Sequence, residues 1–337
     1  MLAIRVYQPG GSSVLAVEEI PTPQPGPGQV RVRMLAAGVN PVDVYLREAT
    51  VAKPAAWPYT PGLEGCGEID ALGDGVDGTL HGMLPDGGPA LGAMVYLSAT
   101  AASTGTYATH ALAPVAHAHR LPPRLCAAQG AVIHVAYATA WRALHQRARC
   151  RPGETVLIHG ASGGVGTAAV QIAVAAGLRV TATAGTPAGM AHAAAQGAAH
   201  VVDHHDDDHL AAAIAAGTPG GRGFDIVIEM LANVNLGRVL PALARGGRVV
   251  VVGSRGPVEI NARDLMTRDA AILGMNLTLT PESEILEAHA GLAPLLAGGV
   301  LTPVIGRRFP LAEAAAAHEA VMAPGALGKM VLEMPVA

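Results

Sequence analysis

The apolar and polar positions along the chain fall into three regimes. From residue 1 to about residue 121, short apolar or alternating runs recur at residues 2–7, 30–35, 67–72, 94–97 and 107–112, each cut off by Pro or Gly. Segments such as Pro21-Thr22-Pro23-Gln24-Pro25-Gly26-Pro27-Gly28 can be neither helix nor central strand, because proline lacks the N–H that both ladders need. This regime predicts an irregular, barrel-like β domain. From about residue 122 to residue 265, strand-like runs at 155–159, 179–183, 200–203, 225–229 and 248–253 alternate with helix-like ones. Such alternation predicts a parallel sheet covered on both faces by right-handed crossovers. Gly177 stands where the first crossover helix should stop, in the position that favours left-handed backbone. Beyond residue 265 the pattern loosens into helices at 285–297 and 311–322 and a last strand at 329–333. The expected organisation is a β-rich domain (1–121), an inserted doubly wound α/β domain (122–265), and a return segment (266–337) that completes the first.

Within the second regime, residues 160 to 166 read G-A-S-G-G-V-G between the apolar run Thr155-Val156-Leu157-Ile158 and an Ala-rich helical stretch. A strand enters, glycines spaced three apart make the turn, and a helix leaves. That arrangement offers bare N–H groups and the positive end of a helix dipole to an anion such as a pyrophosphate. Gly160 permits the tight exit, Gly163 lets phosphates approach the backbone, and Gly166 lets helix and sheet pack closely. The spacing is G-x-x-G-x-x-G, with Ala161 where the strict G-x-G-x-x-G pattern would start, so the strand–turn–helix context carries the reading.

Composition narrows the class. Half of the 337 residues are apolar, but aromatics are only 3%, so Ala, Val and Leu must do most of the packing. The formal charge of −4 and the lack of any Lys/Arg block argue against a nucleic-acid surface. No N-terminal segment resembles a secretion signal, and no apolar run reaches the ~18 residues of a membrane span. Cys66, Cys126 and Cys150 lie far apart without a C-x-x-C pair, which suits a reducing, cytoplasmic setting. The cluster Asp203-His204-His205-Asp206-Asp207-Asp208-His209 lacks the ligand spacing of a zinc site and instead suits the start of a helix. No metal is expected, and His192 and His200 are expected on the surface.

In a doubly wound nucleotide domain the second strand ends near the adenine ribose, where NAD-selective sites keep an acid about 20 residues past the glycine turn. Here that strand runs into Ala184-Gly185-Thr186, with no acid. Its absence leaves room for a 2′-phosphate, and His204 or Arg255 could supply a charge-assisted contact. NADPH is the expected coenzyme.

The runs His159 to Gly166, Glu229-Met230-Leu231-Ala232-Asn233-Val234-Asn235-Leu236 and Val251-Val252-Gly253-Ser254-Arg255-Gly256 closely resemble the zeta-crystallin-like quinone oxidoreductases. These form a zinc-free branch of the medium-chain dehydrogenase/reductase superfamily. Gly38-Val39-Asn40-Pro41-Val42 with Tyr45, Tyr59-Thr60-Pro61-Gly62 and Lys329-Met330 extend the likeness over nearly the whole chain. The resemblance implies a GroES-like catalytic domain around an inserted Rossmann domain, and NADPH-dependent reduction of quinones to semiquinone or hydroquinone. Carried over by position, Tyr45, Ser162, Gly163, Gly164, Val165, Gly185 and His204 line the coenzyme site. So do Asn235, Val252, Gly253, Ser254 and Arg255, with Met275, Asn276 and Leu277 nearer the nicotinamide. Asn40 and Leu63 occupy the positions that hold catalytic zinc ligands in metal-dependent relatives, and neither can bind zinc. The segment 73–93 is longer than the family's corresponding loop, and the helix after Gly185 lacks the family's lysine near the 2′-phosphate.

Without a metal, the catalytic expectation is that Tyr45 and Asn40 hydrogen-bond a quinone carbonyl and stabilise the charge that develops there. Turn stabilisation before Pro41 is the alternative for Asn40, and simple packing the alternative for Tyr45. Thr139 could touch the nicotinamide carboxamide or merely pack in its helix. Two other functions share the sequence features: reduction of α,β-unsaturated carbonyl compounds with NADPH, and a structural or RNA-binding role. The family implies a homodimer or homotetramer.

Overall fold

The computed structural model describes residues 1–50, 54, 56–76 and 90–335, so most of the long segment expected at 73–93 lies outside the described residues. The chain divides into two compact units. The first comprises residues 1–135, 302–324 and the chain from 329 on; the second comprises 136–301 and 325–328.

The first unit begins with strands β1 (Leu2–Arg5) and β2 (Ala16–Glu19), an antiparallel pair. Its main sheet uses β3 (Gln29–Val39), β4 (Glu64–Leu72), β5 (Met94–Ser98), β6 (His110–Pro114) and β7 (Ala118–Arg120). Helix α1 (Pro41–Glu48) leaves the end of β3 with proline in its first turn, where a missing N–H costs nothing.

The second unit is built on β8 (Thr155–Ile158), β9 (Arg179–Ala184), β10 (His200–Asp203), β11 (Phe224–Glu229), β12 (Leu243–Val251) and β13 (Ala271–Gly274). All pairs are parallel and the spatial order is β10-β9-β8-β11-β12-β13. This is the expected Rossmann sheet, its order reversing beside β8. Strand β8 is buried along its whole length, as a strand covered on both faces must be. The crossovers run through α2 (Gly164–Ala175), α3 (Pro187–Ala195), α4 (His209–Gly217) and α5 (Ala232–Val239). Gly177, at φ 75°, closes the turn after α2.

The expected boundary at residue 265 is corrected. Strand β13 adds to β12 as the sixth strand, and helix α6 (Glu282–Ala297) also belongs to the second unit, which runs to Leu301. The signal in β13 was weak because a four-residue edge strand carries almost no periodicity. The front boundary moves as well, from 121 to 135.

The chain then returns to the first unit through β14 (Ile305–Pro310), α7 (Ala314–Met322) and β15 (Lys329–Glu333). The sheet order becomes β14-β15-β3-β4-β5-β7, with β6 on β3. Val32, Met34, Ile69, Leu97, Tyr107, Phe309 and Leu332 are among the residues of its core. Among the described residues no helix is long and apolar enough to cross a membrane.

Candidate functional site: a glycine elbow and a buried ion pair

Beyond β8 the backbone turns at Gly160, whose φ is 60°. A Cβ on Gly166 would stand 2.2 Å from the Gly160 carbonyl oxygen and 2.6 Å from Ala161 Cα. Only glycine lets α2 approach the strand that closely. A Cβ on Gly163, by contrast, would meet nothing nearer than 3.6 Å, so that backbone is open to an incoming group. Gly163 caps α2 without any side-chain hydrogen bond, and the first turn (Gly164, Val165, Gly166) holds no acid. The first N–H groups of a helix have no partner inside it; here they are left for an anion, as a pyrophosphate cradle requires. Ser162 directs its carbonyl the other way, accepting from the Gly328 N–H at 2.8 Å. Thr167, one turn further on, contacts His192 at 2.9 Å through its hydroxyl. His192 is therefore half-buried, a correction to its expected surface position, while His200 is exposed as expected.

At the end of β9 a Cβ on Gly185 would lie 2.5 Å from His204 Nε2 and 2.4 Å from His205 Cε1. A side chain at position 185 would have to displace the two imidazoles. Thr186 is occupied as the cap of α3, accepting from the Gly189 N–H at 3.0 Å. The His204 and His205 rings are 4.7 Å apart. Desolvation, and then the neighbouring His205, lower the pKa of His204; a phosphate dianion beside it would act in the opposite sense.

The loops after β11 and β12 are tied together. Val252 and Gly253 N–H groups donate to the Glu229 carbonyl at 2.9 and 3.3 Å, and the Ala232 N–H donates to the Gly253 carbonyl at 2.9 Å. The Arg255 N–H reaches Asn233 Oδ1 at 2.8 Å, and Ser254 Oγ donates to the Gly256 carbonyl at 2.9 Å. Met275 follows β13 and donates its N–H to the Val251 carbonyl at 3.1 Å, while Asn276 folds its side chain onto the Thr278 N–H at 3.0 Å. Leu277 lies in the same turn. Thr139 is buried on the helical turn Thr139–Trp141. Of the expected coenzyme residues, those from Gly160 to Gly166, Gly185, His204, Asn235, Val252 to Arg255 and Met275 to Leu277 all fall at or just beyond the C-terminal ends of the parallel strands. Ligands bind at that edge in open α/β sheets.

Asn40 and Tyr45 are in the first unit. Asn40 precedes α1, and its own N–H donates to Asp43 Oδ2 at 2.9 Å. Its side chain is only 1% exposed. Asn40 Nδ2 donates to Glu64 Oε1 at 3.0 Å, and its Oδ1 accepts from Lys329 Nζ. Lys329 Nζ also reaches Glu64 Oε1 at 2.9 Å and the Val39 carbonyl at 3.1 Å. Glu64 Oε2 accepts from the Val135 N–H at 2.7 Å. A Cβ on Gly38 would collide with Glu64 Oε1 at 2.5 Å, so that glycine makes space for the carboxylate. The expected direct contact of Asn40 with a substrate carbonyl is therefore corrected: the amide is committed to a buried ion pair and holds the start of α1. Tyr45 is half-buried on α1, about 160° around the helix from Asp43.

Asp43 deepens this cluster. Tyr107 donates to its Oδ2 at 3.3 Å, and His318 Nε2 lies 3.3 Å from the same hydroxyl. Burial pushes the Asp43 carboxyl up to about 7, against the pull of Lys329. Sequence reasoning did not single out Asp43, Glu64 or Lys329 as a unit. The signals were an acid at the start of a strand (Glu64) and one of only two lysines in the chain. Among the described residues no group of three or more His, Cys, Asp or Glu side chains is arranged to hold a metal.

Comparison with known proteins agrees with this architecture. The family model described as "Alcohol dehydrogenase GroES-like domain" matches residues 26–123, and that described as "Zinc-binding dehydrogenase" matches residues 164–290. The quinone oxidoreductase of Homo sapiens is 42% identical over 334 residues, covering 98% of this chain and 97% of that protein. Among solved structures, an NAD-dependent alcohol dehydrogenase superposes with a TM-score of 0.89 at 28% identity, covering 99% of this chain and 100% of its own. The quinone oxidoreductase of Thermus thermophilus, solved also with NADPH, gives 0.82 at 32% identity, covering 99% of this chain and 100% of its own. With these likenesses running from end to end, the chain belongs to the quinone oxidoreductase family of the medium-chain dehydrogenase/reductase superfamily.

Proposed function

We propose that the chain catalyses NADPH-dependent reduction of quinones without a metal. The observation that carries the coenzyme assignment is the uncapped, acid-free N-terminus of α2 above a glycine elbow that a single Cβ at Gly166 would close. The human and Thermus relatives, both named quinone oxidoreductases, support the acceptor class.

The residues present fit a dinucleotide. Gly164 to Gly166, in the first turn of α2, offer backbone N–H groups to the pyrophosphate, and the His204–His205 pair offers two imidazoles where an acid would reject a 2′-phosphate. Arg255 extends from the turn after β12 on the same strand edge. When bound, the coenzyme supplies the hydride. The chain supplies the rest: Tyr45, whose hydroxyl has no partner among the described residues, donates to the acceptor oxygen as negative charge develops there. Asn40, fixed by Glu64 and Lys329, holds the start of the helix that carries Tyr45. Both carboxylate oxygens of Glu64 are satisfied by protein donors, so Glu64 is given no proton-transfer role, and solvent protonates the hydroquinone oxygens.

The test is an oxidation screen with NADPH and NADH over 1,2-naphthoquinone, 9,10-phenanthrenequinone and a simple enone. The expected result is turnover of the quinones, with NADPH favoured by about tenfold or more in kcat/KM, roughly 1.4 kcal/mol of differential binding. Faster turnover of the enone would reassign the acceptor class, and equal efficiency with both coenzymes would remove the 2′-phosphate contact.

A further inference from the structure

Glu229 is the last residue of β11 and is wholly buried. Its Oε1 accepts from the Leu231 N–H at 2.7 Å and from Asn235 Nδ2 at 3.0 Å. Its Oε2 lies 3.3 Å from Nδ1 of His159, the residue that follows β8. Asn235 Nδ2 is also 3.3 Å from His159 Nδ1. His159 follows β8, Glu229 ends β11 and Asn235 lies on α5, so the cluster sits at the ends of the two strands that flank the reversal of the sheet order.

The chemistry of the cluster fixes one thing. Burial pushes the Glu229 carboxyl up, and its Oε1 accepts from Asn235 Nδ2, so the amide turns its nitrogen toward Glu229 and its oxygen away. His159 is 3% exposed, and burial pushes its pKa down to about 3, so it stands as a neutral ring. Asn235 itself is half-buried, and no donor among the described residues reaches its Oδ1. A buried acid with no partner cation is costly, and keeping one here needs a purpose beyond packing.

From this geometry we propose that Glu229 and His159 are positioning residues for the coenzyme: they hold Asn235 with its amide oxygen presented to a ribose hydroxyl. The proposal rests on the coenzyme reading of the glycine elbow and extends it to residues that touch no ligand. Glu229 ties the Leu231 backbone and the Asn235 side chain to the end of β11, so a rigid sheet sets the direction of that acceptor. The carboxylate acts through Asn235, and its removal should be felt only while Asn235 is present.

A double-mutant cycle on the full chain tests this, with NADPH affinity read by calorimetry and folding by thermal melts. Asn235→Ala and Glu229→Leu should each weaken NADPH about tenfold, and the double variant no more than the worse single one. Glu229→Gln, whose amide oxygen can still accept from Leu231 and Asn235, should stay within about threefold of wild type. In steady-state kinetics the loss should appear in the KM for NADPH. If Glu229→Leu does not fold, Glu229→Asp, which draws the acceptor back by one methylene, replaces it in the same cycle. Losses that multiply to about a hundredfold in the double variant would overturn the positioning role, as would full NADPH affinity in both Glu229→Leu and Glu229→Asp. A wild-type chain that binds NADPH poorly and NADH well would overturn the 2′-phosphate assignment alone, and the cycle would then be read with NADH. One that binds neither would overturn the coenzyme reading and this proposal together.

Discussion

Lys329 Nζ lies 2.9 Å from Glu64 Oε1, with the lysine 7% exposed and the glutamate fully buried. The pair joins the first residue of β15 to the first residue of β4 across β3, which separates them in the sheet. Removing one partner of a buried pair strands the other charge, at a cost of about 3–5 kcal/mol. Lys329→Met should therefore lower the thermal midpoint severely. The double variant Lys329→Met, Glu64→Gln should recover much of the loss, since both charges are then gone. Equal destabilisation by the single and double variants would show that the pair is not what holds β15 to the sheet.

The glycine elbow separates folding from binding. In Gly166→Ala the new methyl must displace the Gly160 carbonyl from 2.2 Å, so both stability and NADPH affinity should fall. In Gly163→Ala the nearest atom is 3.6 Å away, so the apo chain should melt as wild type does. The methyl would instead occupy the space of the phosphates, and NADPH affinity should fall by about tenfold or more. Melting curves with and without NADPH distinguish the two. A Gly163→Ala chain with normal affinity would move the pyrophosphate away from the elbow.

Tyr45→Phe removes only a hydroxyl. If that hydroxyl supports charge on the acceptor, kcat for a quinone should drop by about tenfold or more while NADPH remains bound. Stability should not change, because no protein group among the described residues hydrogen-bonds to the Tyr45 hydroxyl. Steady-state kinetics at saturating NADPH give the answer, and an unchanged kcat would leave the tyrosine a packing residue.

Stability should depend on pH in a direction set by buried histidines. His119, His134, His159 and His318 are pushed by burial down to about 3, 4, 3 and 3. Because these folded-state values lie below the unfolded value near 6.5, their contribution is present above pH 6.5 and lost as the pH falls. Asp43 acts oppositely. Its folded value of about 7 exceeds the unfolded one near 3.8, so its contribution is complete below about pH 4 and is lost as the pH rises to about 7. Each group changes stability by at most about 1.4 kcal/mol per pH unit, and four histidines outweigh one aspartate. The melting temperature should fall from pH 7 to pH 5, and more steeply in Asp43→Asn, which lacks the opposing contribution. A midpoint that rises over that range would contradict this balance.

Much of the coenzyme unit was legible in the sequence, because a parallel strand covered on both faces reads as an unbroken apolar run and glycine marks the turns. Thr155 to Ile158 and Gly160 to Gly166 needed no tertiary information. Strand β13 and the tether from Gly328 to Ser162 were not visible, since a four-residue edge strand has no period and a backbone hydrogen bond leaves no trace in residue type. The role of Asn40 was hidden for a related reason. Its partners, Glu64 and Lys329, are 24 and 289 residues away, and nothing local shows that an asparagine before proline faces a buried ammonium. The resemblance named the position and could not show the side chain's company.

Strand β15 has a consequence for how the chain is made. It sits between β14 and β3, so the β-rich unit must wait for residues 329–333 to emerge before its sheet can close, with contacts spanning most of the chain. The six strands of the parallel sheet are all synthesised by Gly274. During synthesis from the N-terminus the coenzyme-type sheet can thus assemble first, while β3 and β4 remain without their lysine-bearing neighbour. Nascent chains stalled before residue 329 should resist protease from residue 136 to 301 and be cut readily in the first 135 residues.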